Sequence, residues 1–234
     1  MEQLPLDLAQ APAPTLANFA PGPNAQAVAL LRQWLDGALD VRSLYLWGPE
    51  GAGKSHLLQA AVGAARAGGK SARYVASGMG FARELADGMD LLAVDQAQSL
   101  PAPAQAALFT LLNEAGERGL RLLVAGDNAP AGLALRPDAA TRLSQGLVLQ
   151  LRLLSDEDKR DALQQHARER GFELAVEAAE YLLRHGRRDL ATLMRVLDAT
   201  DRYSLQVQRP VTVPLLREVL QQADAGQGGY LPTM

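Results

Sequence analysis

The chain has 234 residues, 48% of them hydrophobic, enough for one large domain or for a core domain with a small appendage. A formal charge of −3 and an isoelectric point near 5.7 argue against a dedicated DNA-binding surface, because neutralising phosphates takes clustered excess Lys and Arg; any nucleic-acid contact should be local or indirect. The absence of cysteine excludes disulfides and thiolate metal sites. His56, His166 and His185 lie far apart without ligand spacing and read as surface or packing residues. No basic segment followed by an apolar run opens the chain, and no stretch approaches the length of a membrane span, which makes the cytoplasm the default location.

In chain order, residues 1–17 lack helix or strand periodicity, and Pro5, Pro12 and Pro14 in an Ala-rich setting predict an extended arm. A globular core should span 18–154. Within it, Leu44 to Trp47, Arg73 to Ala76, Leu91 to Val94, Leu122 to Ala125 and Leu147 to Leu151 read as strands alternating with helical patterns, the signature of a parallel α/β sheet. His56 to Arg66 reads as a helix with Leu57, Leu58, Ala61 and Ala65 on one side. Ala104 to Arg118 reads as another, with Leu108, Leu111, Leu112 and Ala115 at helical spacing and Gly119 closing it. Gly126 to Pro137 is a Pro/Gly-punctuated loop.

From 155 to 222 the composition predicts a small helical bundle. Ser155-Asp156-Glu157-Asp158 resembles a capping box opening a helix that runs to about Arg170, with Gly171 at its end. Further helices are expected over Val176 to His185, stopped by Gly186, over about Asp189 to Leu205, and from Pro214 to Gln222. Residues 223–234 read as a frayed, Gly-rich tail.

One segment carries chemistry outright. Gly48-Pro49-Glu50-Gly51-Ala52-Gly53-Lys54-Ser55 fits the pattern G-x-x-x-x-G-K-[ST] at every fixed position, after the apolar Leu44-Tyr45-Leu46-Trp47 and before the helix that includes His56. Its glycines allow consecutive backbone N–H groups to face phosphates, Lys54 supplies charge for the β and γ phosphates, and Ser55 can hold Mg²⁺. A plain glycine-rich turn needs no Lys-Ser pair. The strand ending Leu91-Leu92-Ala93-Val94 delivers a carboxylate, Asp95, as the second Mg²⁺ partner. Gln96 follows it, where a hydrolytic ATPase of this type carries a second acid. An amide can orient water but cannot take its proton, so weak intrinsic hydrolysis is expected.

A P-loop α/β core followed by a helical lid resembles the AAA+ arrangement, and several segments together resemble its DnaA-related branch, in particular the Hda group of DnaA inactivators. Leu123-Val124-Ala125-Gly126-Asp127 is similar to the strand ending in the sensor 1 Asp. Asn18-Phe19-Ala20-Pro21-Gly22-Pro23-Asn24 is similar to the segment that helps hold adenine, and Ala140-Thr141-Arg142-Leu143-Ser144-Gln145-Gly146 to the box that bears the arginine finger. In the arm, Gln3-Leu4-Pro5-Leu6-Asp7-Leu8 is similar to the peptide with which proteins dock on the bacterial sliding clamp: spaced leucines supply apolar area, and the Gln3 amide sets the register of Leu4, Leu6 and Leu8. The Pro/Ala-rich residues 9–17 would let that peptide reach roughly 28 Å from the core at about 3.1 Å per residue.

The resemblance implies an ADP or ATP ligand with Mg²⁺ and two partners: DnaA, and the DNA polymerase III sliding clamp (its beta subunit) on DNA. It implies activation of DnaA's ATP hydrolysis by Arg142 acting in trans, and so negative regulation of replication initiation. No helix-turn-helix reader is expected after Gln222, in keeping with the acidic balance. Two departures stand out. Gln96 is one; the other is Ala191, where the family carries its sensor 2 Arg, with Arg188 and Arg195 on the same helical face as candidate substitutes. An autonomous DnaA-like ATPase or helicase-loading factor is the alternative, and a nucleotide-dead scaffold a third; ADP versus ATP preference and homo-oligomerisation stay open.

Overall fold

The computed structural model describes residues 13–76, 79, 81–186 and 189–227, with side chains as far as residue 222. Gln3, Leu4, Leu6 and Leu8, the residues expected to form a clamp-binding peptide, therefore lie outside the described residues, as does Arg188. The chain divides into two compact units, one over 13–153 and one beginning at Leu154.

In the first unit the strands are β1 (Ser43–Trp47), β2 (Ala72–Val75), β3 (Leu91–Val94), β4 (Arg121–Gly126) and β5 (Leu147–Gln150). They form one sheet in the order β2-β3-β4-β1-β5, with every pairing parallel. These are the five segments whose apolar runs predict strands; β3 has the predicted ends, and the others differ by one residue at one or both ends. Side chains alternate between the faces of a strand, and the alternation divides the core in two. Leu44 and Leu46, Leu91 and Ala93, and Leu123 and Ala125 face one layer, made by α1 (Ala25–Asp36) and α2 (Lys54–Ala67). Tyr45, Leu92, Val94, Leu122 and Val124 face the other, which contains α3 (Ala102–Glu114) and α4 (Pro137–Ser144).

Helix α1 has no counterpart in the sequence reading, although its signal is present: Ala27, Val28, Leu31 and Trp34 are buried on one stripe, and Gly37 closes the helix at φ 86°. Helix α2 starts two residues before the expected His56, because the phosphate loop leads straight into its first turn. Helix α3 is displaced towards the N-terminus of the predicted 104–118, for two reasons. Prolines 101 and 103 sit at and just inside its start, where no intrahelical N–H is needed, and the chain leaves the helix after Glu114, with Gly119 at φ 66°. The loop from Gly126 does end near Pro137, but it gives way to a helix, α4, with Ala139 and Leu143 buried.

The second unit comprises α5 (Asp156–Glu169), α6 (Val176–His185), α7 (Leu190–Val207) and α8 (Val213–Gln227) around a core of Leu163, Leu174, Leu182, Leu193, Leu197 and Leu216. The capping box at Ser155 and Asp158 forms in both directions. The predicted fraying after Ala223 is not observed up to Gln227. Ala223 and Ala225 are strong helix formers, and α8 continues through them. No helix among the described residues is long and apolar enough to cross a membrane.

Candidate nucleotide-binding site

The phosphate loop joins β1 to α2 in conformations that only glycine supplies cheaply. A Cβ on Gly48 would collide with the carbonyl oxygen of Leu151, and Gly53, at φ 90°, has the Phe19 ring 2.6 Å from where its Cβ would be. The segment before the core thus lies directly on the loop: Phe19 also meets the His56 ring at 5.4 Å between centroids, and His56 Nε2 lies 3.0 Å from the Thr15 carbonyl oxygen. Asn24, almost fully buried, closes this region by a two-way pairing with the backbone of Arg152, donating to its carbonyl at 2.9 Å and accepting from its N–H at 2.8 Å.

Two carboxylates reach the same face. Asp95 follows β3 and Asp127 follows β4, each two residues beyond a side chain (Ala93, Ala125) that packs in the α2 layer, so period-two alternation brings both to that side at the C-terminal edge of the sheet. Ligands of parallel α/β sheets bind at that edge. Lys54, 7% exposed, donates from Nζ to the carbonyl oxygens of Gly48 and Pro49 at 2.5 and 2.9 Å, and Asp127 Oδ1 stands 3.6 Å away. Gln98 Nε2 donates to the other oxygen of Asp127 at 2.6 Å. Tyr45 steadies the same loop by donating to the Asn128 carbonyl at 2.6 Å; burial first, and then the Asp127 charge, push its phenol well above the usual range.

Asp95 is buried, 2% exposed. One of its oxygens accepts the Gln96 N–H at 2.9 Å, and the other accepts the Tyr74 hydroxyl at 2.7 Å. The Tyr74 phenol is pushed up to about 12 by burial and by its bond to Asp95, against hydrogen bonds from Gln59 and Ser55. The Tyr74 hydroxyl that holds Asp95 therefore lies near the Ser55 side chain. One hydroxyl and one carboxylate are hard oxygen donors of the kind Mg²⁺ takes alongside phosphate oxygens, so the residues present fit that ion. Among the described residues no cluster of three or more His, Asp or Glu offers a separate metal site. Gln96 adopts a left-handed backbone at φ 46°, uncommon for a side-chain-bearing residue.

The other predicted residues lie apart from this cluster in sequence. Arg142 is exposed on α4, its guanidinium donating to Gln145 at 3.0 Å. Ala191 is exposed in the first turn of α7, and Arg195 binds the Thr192 hydroxyl of its own helix at 2.8 Å. Tyr74 and Gln98 are absent from the sequence reading. Tyr74 had a usable signal, a polar-tipped aromatic in a short strand; Gln98 had none.

Comparison with known proteins supplies the class. Domain III of the Thermotoga maritima replication initiation protein DnaA superposes with a TM-score of 0.71 at 20% identity, covering 90% of this chain and 96% of that one. AMPPCP-bound DnaA from Aquifex aeolicus gives 0.68 at 22% identity over 84% and 70% of the two chains. A Thermotoga maritima RuvB mutant gives 0.67 at 15% identity over 91% and 73%. The fold with its phosphate loop and helical lid is that of a AAA+ P-loop protein. Residues 156–220 match the family model described as "Hda, lid domain". The first unit and lid together thus have the fold of DnaA domain III, and over residues 156–220 the chain is similar to the lid domain of Hda.

Proposed function

We propose that this protein binds an adenine nucleotide, docks on the DNA-loaded sliding clamp of DNA polymerase III, and stimulates ATP hydrolysis by DnaA to leave inactive ADP-DnaA. The observation that carries this reading is one chain joining an Hda-type lid over 156–220 to a complete phosphate loop ending in Lys54-Ser55. The AMPPCP in the Aquifex relative supports an adenine nucleotide as the ligand.

In this reading Gly48, Gly51, Ala52 and Gly53 supply the backbone cradle, Lys54 turns from the loop carbonyls to the phosphates, and His56 and Phe19 flank the loop. Ser55 and Asp95 hold Mg²⁺, whose chemistry there is neutralisation of phosphate charge. Asp127 reads the phosphate end as sensor 1. Gln96 orients water without accepting its proton, so the protein's own turnover is slow. The reaction that matters occurs in the partner, where Arg142 supplies a guanidinium in trans against charge developing on the transferred phosphoryl group. Its exposure on a short helix between β4 and β5 suits that role.

The test is Arg142→Ala with DnaA and DNA-loaded clamp. Stimulation of DnaA's ATP hydrolysis should fall by about 10³ to 10⁵, with clamp docking and the protein's own nucleotide affinity unchanged. Arg142→Lys should not restore it, since a point charge cannot reproduce the bidentate fork. Full stimulation by the Ala variant would overturn the in-trans mechanism. Gln3→Ala with Leu4→Ala should abolish clamp binding in a pull-down while leaving thermal melting unchanged.

A further inference from the structure

We propose that Tyr74 is a positioning residue of the metal–nucleotide site, its hydroxyl setting the Asp95 carboxylate against the Ser55 hydroxyl so that both can meet one Mg²⁺. The proposal rests on the nucleotide reading above. It starts from topology. β2 is an edge strand paired with β3 so that Tyr74 lies opposite Ala93 and Val75 opposite Val94, and the Asp95 N–H continues the ladder to the Val75 carbonyl at 3.0 Å. Ala93 and Asp95 share the face that α2 covers, and Tyr74 packs against the same cluster. The phenol thus stands between the strand that delivers the acid and the helix that delivers the serine.

The chemistry of the contacts is specific. Packing alone would be met by a phenylalanine. The hydroxyl donates its one proton to Asp95 Oδ2 at 2.7 Å, with the Ser55 and Gln59 side chains close enough to act on the phenol. Asp95 Oδ1 is held by the Gln96 N–H, so the carboxylate is fixed at both oxygens and each keeps lone-pair capacity for a cation. A carboxylate that loses a donor is free to rotate, and then presents its lone pairs to a metal less well. Partners that orient metal ligands in this way typically contribute 10- to 100-fold to metal affinity.

Tyr74→Phe keeps the ring and removes only the hydroxyl. ADP affinity should be measured by calorimetry for parent and variant, each with Mg²⁺ and with EDTA, after checking that their ligand-free melting curves match. The expected result is that the parent binds more tightly with Mg²⁺ and that the variant loses about 10- to 100-fold of that Mg²⁺-dependent affinity, with the two proteins equal in EDTA. Parent-like Mg²⁺ dependence in the variant overturns the proposal. So does an equal loss in EDTA, which would make Tyr74 a support for the phosphate loop alone. Parent binding of ADP that ignores Mg²⁺ overturns the proposal and leaves nucleotide binding standing, whereas no ADP or ATP binding by the parent removes the nucleotide reading itself.

Discussion

The P-loop unit and the lid both bury polar side chains, and they use them differently. In the core these are Asn24, Lys54 and Asp95; in the lid they are Thr200 and Asp201, both on α7. The core residues lie at or beside the C-terminal edge of the sheet, and the partners of Lys54 and Asp95 are groups a ligand could displace or share: loop carbonyls, a neighbouring N–H, a tyrosine hydroxyl. The lid residues are closed off by their own unit. Thr200 donates back to the Val196 carbonyl at 2.7 Å, and Asp201 accepts from Arg170 at 2.9 Å. Asp198 extends that network to His166 at 2.7 Å and to Arg170 at 3.3 Å, tying α5 to α7. Desolvating a polar group is unfavourable in either place. In the core it leaves groups poised for a ligand, whereas in the lid it fixes one helix against another.

The largest expected effect that could break this contrast is at Lys54. Lys54→Ala should remove most ADP affinity, and with it the ligand-induced rise in melting temperature, worth about 2.7 kcal/mol at a ligand concentration 100 times Kd. An undiminished ADP-induced shift in differential scanning fluorimetry would place the phosphate elsewhere. Next is Asn24→Ala, which strands the Arg152 backbone groups and should destabilise the core by about 1–3 kcal/mol in urea unfolding. A smaller loss, about 1–2 kcal/mol, is expected for Arg170→Met, because the guanidinium is 35% exposed and partly screened. ADP affinity should not change; if it does, the lid network is more than structural.

The smallest effect concerns the capping box of α5. The Ser155 hydroxyl and N–H hold the Asp158 carboxyl below the usual carboxylate range. A depressed folded-state pKa means that its contribution is present above the ordinary carboxylate pKa and is lost as pH falls through the folded value. The melting difference between the parent and Asp158→Asn should therefore be measurable at neutral pH and close in strong acid. A difference that persists there would assign the effect to something other than the carboxylate's charge.

What could be read from the sequence was local. The phosphate loop was legible because its chemistry demands fixed residue types at fixed spacing next to a strand and a helix, and the five strands because a buried parallel strand is a short apolar run bounded by turns. The capping box at Ser155 and the stop at Gly186 were legible for the same reason: each is a contact between residues within one turn. Helix α1 was missed although its stripe was visible, and α4 was missed because Pro137 reads as loop punctuation until one sees Ala139 and Leu143 buried behind it.

The rest was decided by tertiary structure, since it depends on residues that sequence spacing cannot relate. Tyr74 meets Asp95 across 21 positions, Gln98 meets Asp127 across 29, and Asn24 meets Arg152 across 128. Each pairing follows from strand order, from side-chain alternation at the sheet edge, or from a segment folded back over the phosphate loop. A linear pattern contains none of these, because the loop-closure entropy that opposes them is offset only when the whole core packs.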